Sequence, residues 1–244
     1  MLSLVIPTYR ERDNIEPLLT RLGTVAPSLG EPIEVLIVDN ASDDGTADRA
    51  RSLLGQVVPG RVVEPALRCG LAEAVLLGIR EASGDLIGVM DADLSHPPEL
   101  LPRLVEAVRA GRQMAVASRY TPGGGVEGWP RLRRMLSRLG NLAARPLTTV
   151  ADTTAGYFVI RAELLRRLSL KAQGFKILLE ILVQGCLHDV EEVPYVFRDR
   201  VRGESKLSGQ VLGSYTAQLA RLYAHRLRHA CPHERTAGMQ CPHG

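Results

Sequence analysis

An α/β fold with a mostly parallel, doubly wound sheet is predicted by three features of this sequence. Short apolar runs at 2–6, 33–38, 85–90 and 114–117 alternate with segments of helical length, and strands that alternate with helices need right-handed crossovers that lay them parallel. The runs are nearly continuous, as in strands covered on both faces. Each run ends in a polar cluster: Tyr9 and Glu11, Asp39 and Asn40, Asp91 and Asp93, and Arg119. Sheets of this kind bind ligands beyond the carboxyl ends of their strands, so these residues are expected to line one crevice.

Taken in order, residues 2–6 form the first strand, Pro7-Thr8-Tyr9-Arg10-Glu11 a polar elbow, and about 14–22 a helix. A strand at 33–38, a loop at 39–46 and a helix at 47–54 repeat the plan, followed by a strand at 61–64, Gly70 and a helix at 71–82. The strand at 85–90 leads into the acidic turn, a helix opened by Pro97-Pro98 and reaching about 110, and a fifth strand at 114–117. Beyond Tyr120 the rhythm changes to a Gly-rich loop (121–128), a basic amphipathic helix (129–147), a strand within 152–160, a helix over 175–184 and a strand over 190–197. The loop 198–208 holds Arg200, Arg202, Gly203 and Lys206 and reads as a mobile lid over phosphates. A basic amphipathic helix is expected over 213–230 and a disordered tail over 231–244.

With 45% hydrophobic and 23% charged residues, the chain has the composition of a globular protein able to bury one substantial core. Residues 2–7 lack the basic flank of a signal peptide, and no apolar run reaches the roughly 18 residues needed to span a bilayer. The four cysteines are scattered without a disulfide framework, which suits the cytoplasm. Cys231, His233, Cys241 and His243 lack the spacing of a structural zinc site. The net charge of +3 is unevenly spread: 128–151 carries Arg131, Arg133, Arg134, Arg138 and Arg145, and 205–233 carries Lys206, Arg221, Arg226 and Arg228, with no acid in either stretch. Both are expected to face something anionic, and no nucleic-acid partner is expected. Val211, Leu212, Tyr215, Leu219, Leu222, Tyr223 and Leu227 fall along one side of a helix, so one or both basic helices are expected on an anionic bilayer.

Asp91-Ala92-Asp93 is the chemical centre of the chain. Two carboxylates flanking one small residue just past a strand repel one another unless a cation lies between them, and Mg2+ or Mn2+ with oxygen ligands answers that need. An EF-hand is excluded because His96 stands where that loop needs Gly and Pro102 where it needs Glu. A phosphatase with a nucleophilic first Asp shares D-x-D-x-[ST], but it would carry that Asp after the first strand, whereas this pair follows the fourth. Asp43 and Thr46 suit helix capping, Asp39 and Asn40 suit recognition of a base, and Arg119 suits a diphosphate.

The segments V-I-P-T-Y-R-E-R-D-N-I, V-D-N-A-S-D-D-G-T, M-D-A-D-L-S-H-P-P-E, S-R-Y-T-P-G-G-G-V-E-G-W and D-R-V-R-G-E-S-K, in that order and spacing, resemble the inverting family 2 glycosyltransferases with the GT-A fold. Within that family the likeness is to the dolichol-phosphate and polyprenol-monophosphate mannose synthases, and it spans about residues 2–212. The resemblance implies a Rossmann-like GT-A catalytic domain over 1–212, with a nucleotide-sugar half at 1–119 and an acceptor half at 120–212. It implies transfer of mannose from GDP-mannose to a polyprenyl or dolichyl phosphate at the cytosolic membrane face, by a peripheral enzyme. Carried over by position, Pro7, Tyr9, Glu11, Val38 and Asn40 would contact the nucleotide. Asp91 and Asp93 would hold metal and diphosphate, with Ala92 and Ser95 beside them. Arg119, Arg200 and Lys206 would clamp phosphates, and Arg133 would meet the acceptor phosphate. Three positions depart from the pattern: Asn40 replaces the usual Asp, Ser95 a common Gln, and Phe158 a common Arg. A family 2 enzyme using UDP-glucose or UDP-GlcNAc, and a non-catalytic nucleotide-sugar binder, are the alternative readings.

Overall fold

The computed structural model describes residues 1–170, 177–198 and 209–229, with the backbone alone for 209–212. Arg200, Arg202 and Lys206, the expected helix start at 175, and the tail 231–244 lie outside the described residues.

The central sheet has the strand order β3-β2-β1-β4-β7-β5-β8, from β1 (Leu2–Thr8), β2 (Ile33–Asp39), β3 (Gly60–Val63), β4 (Leu86–Val89), β5 (Met114–Ser118), β7 (Phe158–Arg161) and β8 (Val190–Pro194). All pairings are parallel except those of β7, which runs antiparallel between β4 and β5. The order reverses beside β1. The chain travels outward through β2 and β3 and then returns to place β4 on the other side of β1, and the carboxyl ends of β1 and β4 flank the resulting crevice. A small second sheet pairs β6 (Gly125–Glu127) with β9 (Val196–Arg198). The strand expected over 190–197 thus breaks at Tyr195 and serves two sheets.

Two helical layers cover the central sheet. Leu2, Leu4 and Ile6 pack with Ile15, Leu18 and Leu22 of α1 (Arg12–Val25) and with Leu101, Leu104 and Val108 of α4 (Leu101–Arg109). Val5, Leu36 and Val38 pack on the other face with Ala74 and Val75 of α3 (Leu71–Glu81), and Ile87 and Val89 share that layer with Leu178 and Ile181 of α7 (Ile177–Gln184). The alternation is that of any strand, but both faces are apolar because both are covered. The remaining helices are α2 (Thr46–Leu53), α5 (Arg131–Ala144), α6 (Ala162–Arg166) and α8 (Gly209–Arg228). Among the described residues no helix is long and apolar enough to cross a membrane.

α8 departs from the expectation of a bilayer-facing helix. Tyr215, Leu219 and Leu222 are buried against Ala144, Leu147, Leu179 and Val183. Tyr215 donates to the Gly140 carbonyl (2.9 Å) and Tyr223 to that of Ala143 (2.7 Å). Arg221 reaches the buried Glu180 carboxylate at 3.2 Å. Apolar periodicity shows that a helix has a buried side but not what covers it, and here the protein does. Cys69 is a free thiol.

At the sheet edge opposite the crevice, Arg109 and the Met1 amine both bind Glu31 and Asp85. Hydrogen bonds from Arg109 and the amine hold the Asp85 carboxyl well below its ordinary pKa of 3.8. For Glu31, burial acts to raise the pKa, and the bonds from Arg109 and the amine outweigh it to a net lowering. Both folded-state pKa values lie below the unfolded ones, so this stabilisation is complete above the ordinary 4.5 of Glu and is lost as pH falls through the lowered values. Urea midpoints should therefore fall between pH 6 and pH 3, and Arg109→Gln should flatten that slope; an unchanged slope would remove the cluster from the account.

Candidate active site

Strain gathers where the strands end. Arg10 (φ 57), Ala41 (φ 54) and Leu94 (φ 62) adopt the left-handed conformation, costly for residues with a Cβ, and they sit just past β1, β2 and β4. Side chains lock these loops together. Thr8 donates to Asp39 (2.9 Å), which also accepts from the Ser42 backbone N–H (3.0 Å) and hydroxyl (2.7 Å). The Arg10 guanidinium binds both Asp43 oxygens at 2.7 Å, and the Glu11 N–H donates to Thr46 Oγ1 at 3.0 Å. Asp43, expected to cap α2, instead pairs with Arg10; Asp44 accepts the Thr46 N–H at 3.0 Å.

On the nucleotide side, Pro7 is buried at the end of β1, and the Val38 side chain belongs to the core, so only its backbone could meet a ligand. Tyr9 is half-buried beneath the Arg68 guanidinium, 4.1 Å from its ring centroid. Glu11 accepts from Asn14 at 2.6 Å. Asn40 donates to the Cys69 carbonyl (2.6 Å) and accepts the Cys69 N–H (2.8 Å). An Asp could not make that two-way pairing, so the amide at this position ties β2 to the loop before α3. Asp39 is wholly buried, and its bonds to Thr8 and Ser42 hold the loops together.

The acidic turn follows β4. Asp93 is buried and accepts from both the backbone N–H and the hydroxyl of Ser95, so Ser95 holds Asp93 in place. Asp91 is more open, 36% exposed, with His96 Nδ1 3.7 Å from its Oδ2. Ala92 packs in the core. Gly156 lies directly against the Asp91 carboxylate: a Cβ there would sit 2.6 Å from Oδ2, so only glycine leaves that oxygen its place. Among the described residues no cluster of three Asp, Glu, His or Cys forms. Two hard carboxylates with the rest of the shell left to water and substrate oxygens fit Mg2+ or Mn2+, not a structural zinc.

Past β5, Arg119 is 8% exposed and paired with the wholly buried Asp152. Its Nε and Nη2 donate to the two Asp152 oxygens at 2.7 Å each, Nη2 also donates to Thr154 Oγ1 at 2.8 Å, and the Arg119 backbone N–H donates to Asp152 at 3.0 Å. Burial acts to lower the guanidinium pKa, and the Asp152 charge and hydrogen bonds overcome it, so the net shift is upward. The guanidinium expected to face a diphosphate is thus already matched by a carboxylate. Asp152 is the residue that sequence reasoning missed; no local pattern pairs it with Arg119, because the two meet only after the chain turns back into β7. Phe158 is wholly buried in β7 opposite Val89 and Val116, so an Arg there would lie in the core.

α5 closes this side. Arg133 stacks on Trp129, 3.9 Å from the ring centroid. The Tyr120 hydroxyl donates to Ser137 (2.8 Å), and Thr153, next to Asp152, donates to Asn141 through its N–H (3.0 Å) and hydroxyl (2.8 Å). The outer side of α5 is different: Leu132 (63%), Met135 (52%), Leu139 (52%) and Leu142 (65%) are exposed, and Arg131, Arg134 and Arg138 share that surface.

Known proteins resemble this chain in sequence and in fold. A dolichol-phosphate mannosyltransferase of Pyrococcus furiosus is 41% identical over 90% of this chain, which spans 63% of that protein's length. A dolichol-phosphate mannosyltransferase of Saccharomyces cerevisiae is 38% identical, over 91% of this chain and 86% of the relative. A mannosyltransferase of Pyrobaculum calidifontis, solved with GDP-Man and Mn2+, shares the fold with a TM-score of 0.64 at 21% identity, over 94% of this chain and 65% of that one. The family model for glycosyl transferase family 2 matches residues 3–169, a span that takes in the strands β1 to β7, the acidic turn and the Arg119–Asp152 pair. With the family model matching residues 3–169 and the yeast relative 38% identical over most of both chains, this chain belongs to glycosyl transferase family 2.

Proposed function

We propose that this enzyme moves mannose from GDP-mannose to a polyprenyl phosphate, with inversion and with a divalent cation, at the cytosolic face of a membrane. The observation that carries the reading is the Asp91–Asp93 turn at the carboxyl end of β4, beside the reversal in strand order, in a chain whose relatives are named for this reaction. A phosphate monoester is anionic at neutral pH, so the acceptor attacks the anomeric carbon without a general base, and the protein's task is to position it and stabilise the leaving diphosphate. When bound, the cation supplies charge neutralisation at that diphosphate. Asp91 and Asp93 would hold it, with Ser95 fixing Asp93; Tyr9, Glu11 and Asn40 would line the nucleotide side. Arg119, matched by Asp152, positions the acceptor wall. Arg200 and Lys206 are the cations assigned to the diphosphate, and Arg133 the one assigned to the acceptor. Titration with GDP-, UDP- and dTDP-sugars in the presence of Mn2+ tests the donor: GDP-mannose should raise the melting temperature most, and a preference for a UDP-sugar would transfer the reading to a different family 2 reaction.

The outer face of α5 supplies the membrane contact in this reading. Four exposed apolar side chains share it with arginines, and each basic residue near an anionic surface adds on the order of 1 kcal/mol. The protein should sediment with phosphatidylglycerol vesicles and not with phosphatidylcholine ones, and should release as salt rises over a few hundred millimolar. Arg134→Glu with Arg138→Glu should abolish binding, whereas Arg226→Glu should not. Salt-insensitive binding, or binding unchanged in the α5 variant, would reject this face.

A further inference from the structure

We propose that Tyr195 positions the donor's sugar, its phenol hydroxyl donating a hydrogen bond to the hexose of the bound nucleotide sugar. This rests on the donor assignment above and adds a residue that neither the motifs nor the comparisons assign.

Tyr195 is a further strand-end residue. β8 runs parallel to β5 with Pro194 opposite Ser118, so Tyr195 emerges on the same side of the sheet as Arg119, Asp91 and Asp93. Its backbone is fixed: its N–H donates to the Ser118 carbonyl and its carbonyl accepts the Gly125 N–H, each at 3.1 Å. Its ring is held by His96 (centroids 5.8 Å apart) and Phe197 (6.5 Å). The side chain is 6% exposed, and among the described residues its hydroxyl has no hydrogen-bond partner.

A buried hydroxyl without a partner costs about 1–3 kcal/mol, so its place beside catalytic groups points to a ligand. The charges it senses are those of the site: Arg119, Asp152, Asp91 and Asp93. Burial pushes its pKa well above 10, so it remains a neutral donor. Phosphate is drawn to cations, and Arg119, the cation whose charge this hydroxyl senses, is matched by Asp152. A neutral donor among His96 and Phe197 instead suits the hydroxyls and C–H faces of a sugar ring. Tyr157 is also buried with an unpartnered hydroxyl and its ring also meets His96 (centroids 5.5 Å apart), but the charged side chains acting on it are Glu99 and Arg21 rather than those of the site.

The test is calorimetric titration of wild type and Tyr195→Phe with GDP-mannose and with GDP, each with Mn2+. The variant should bind GDP-mannose about five- to tenfold more weakly, as for loss of one hydrogen bond. It should bind GDP as wild type does and melt at the same or a higher temperature, since an unpartnered buried hydroxyl has been removed. Equal weakening toward both ligands, no weakening toward GDP-mannose, or a lower melting temperature would overturn the proposal while leaving the donor assignment standing. Wild type that binds neither ligand would overturn the donor assignment and this inference with it.

Discussion

Asp91→Asn and Asp93→Asn are each expected to lower cation-dependent sugar transfer by at least about a hundredfold while leaving the fold intact. Asn removes the negative charge but keeps an oxygen. At Asp93 that oxygen can still accept the Ser95 N–H and hydroxyl that shape the turn, and Asp91 is partly open to solvent. Steady-state rates across a Mn2+ series, with melting temperatures in parallel, check this. Transfer near the wild-type rate in both variants would remove the pair from catalysis, and a large fall in melting temperature would recast it as structural.

The second large effect is on stability. Asp152→Ala should cost about 3–5 kcal/mol, because it leaves the Arg119 guanidinium buried without its carboxylate. That is a substantial share of the roughly 5–15 kcal/mol that holds a domain folded. The double variant Arg119→Met with Asp152→Leu should recover most of that loss, since apolar replacement of a buried ion pair is often neutral, yet remain impaired in transfer, because the Thr154 contact and the link to α5 through Thr153 depend on this loop. Urea unfolding of the three variants beside wild type decides it. A mild single-variant effect would mean that water reaches the pair.

Sequence and structure agree where local chemistry determines the outcome. Continuous apolar runs read as strands because both sheet faces are covered, and polar residues at their ends read as crevice because parallel strands share one carboxyl edge. The acidic turn was legible because its two carboxylates are close in the chain itself. What could not be read depends on contacts between distant segments. β7 is short and runs antiparallel, and nothing in F-V-I-R reveals its direction. Asp152 meets Arg119 only through that return. α5 and α8 both show apolar periodicity beside arginines, but Tyr215, Leu219 and Leu222 of α8 are buried against protein while Leu132, Met135, Leu139 and Leu142 of α5 stay exposed among the described residues. Tyr195 was hidden inside what reads as one strand over 190–197, although the Pro before it signals a strand end.

The central claim is mannosyl transfer to a lipid phosphate, and the direct measurement is incubation of the purified chain with GDP-mannose, a polyprenyl phosphate in phosphatidylglycerol vesicles, and Mn2+ or Mg2+, followed by analysis of the lipid. The account predicts a mannosyl-phosphoryl lipid in the β configuration, formed only with cation present and absent in the Asp91→Asn and Asp93→Asn variants. Product in the α configuration, product formed equally well with chelator, or no lipid-linked mannose under conditions where GDP-mannose binds would contradict it.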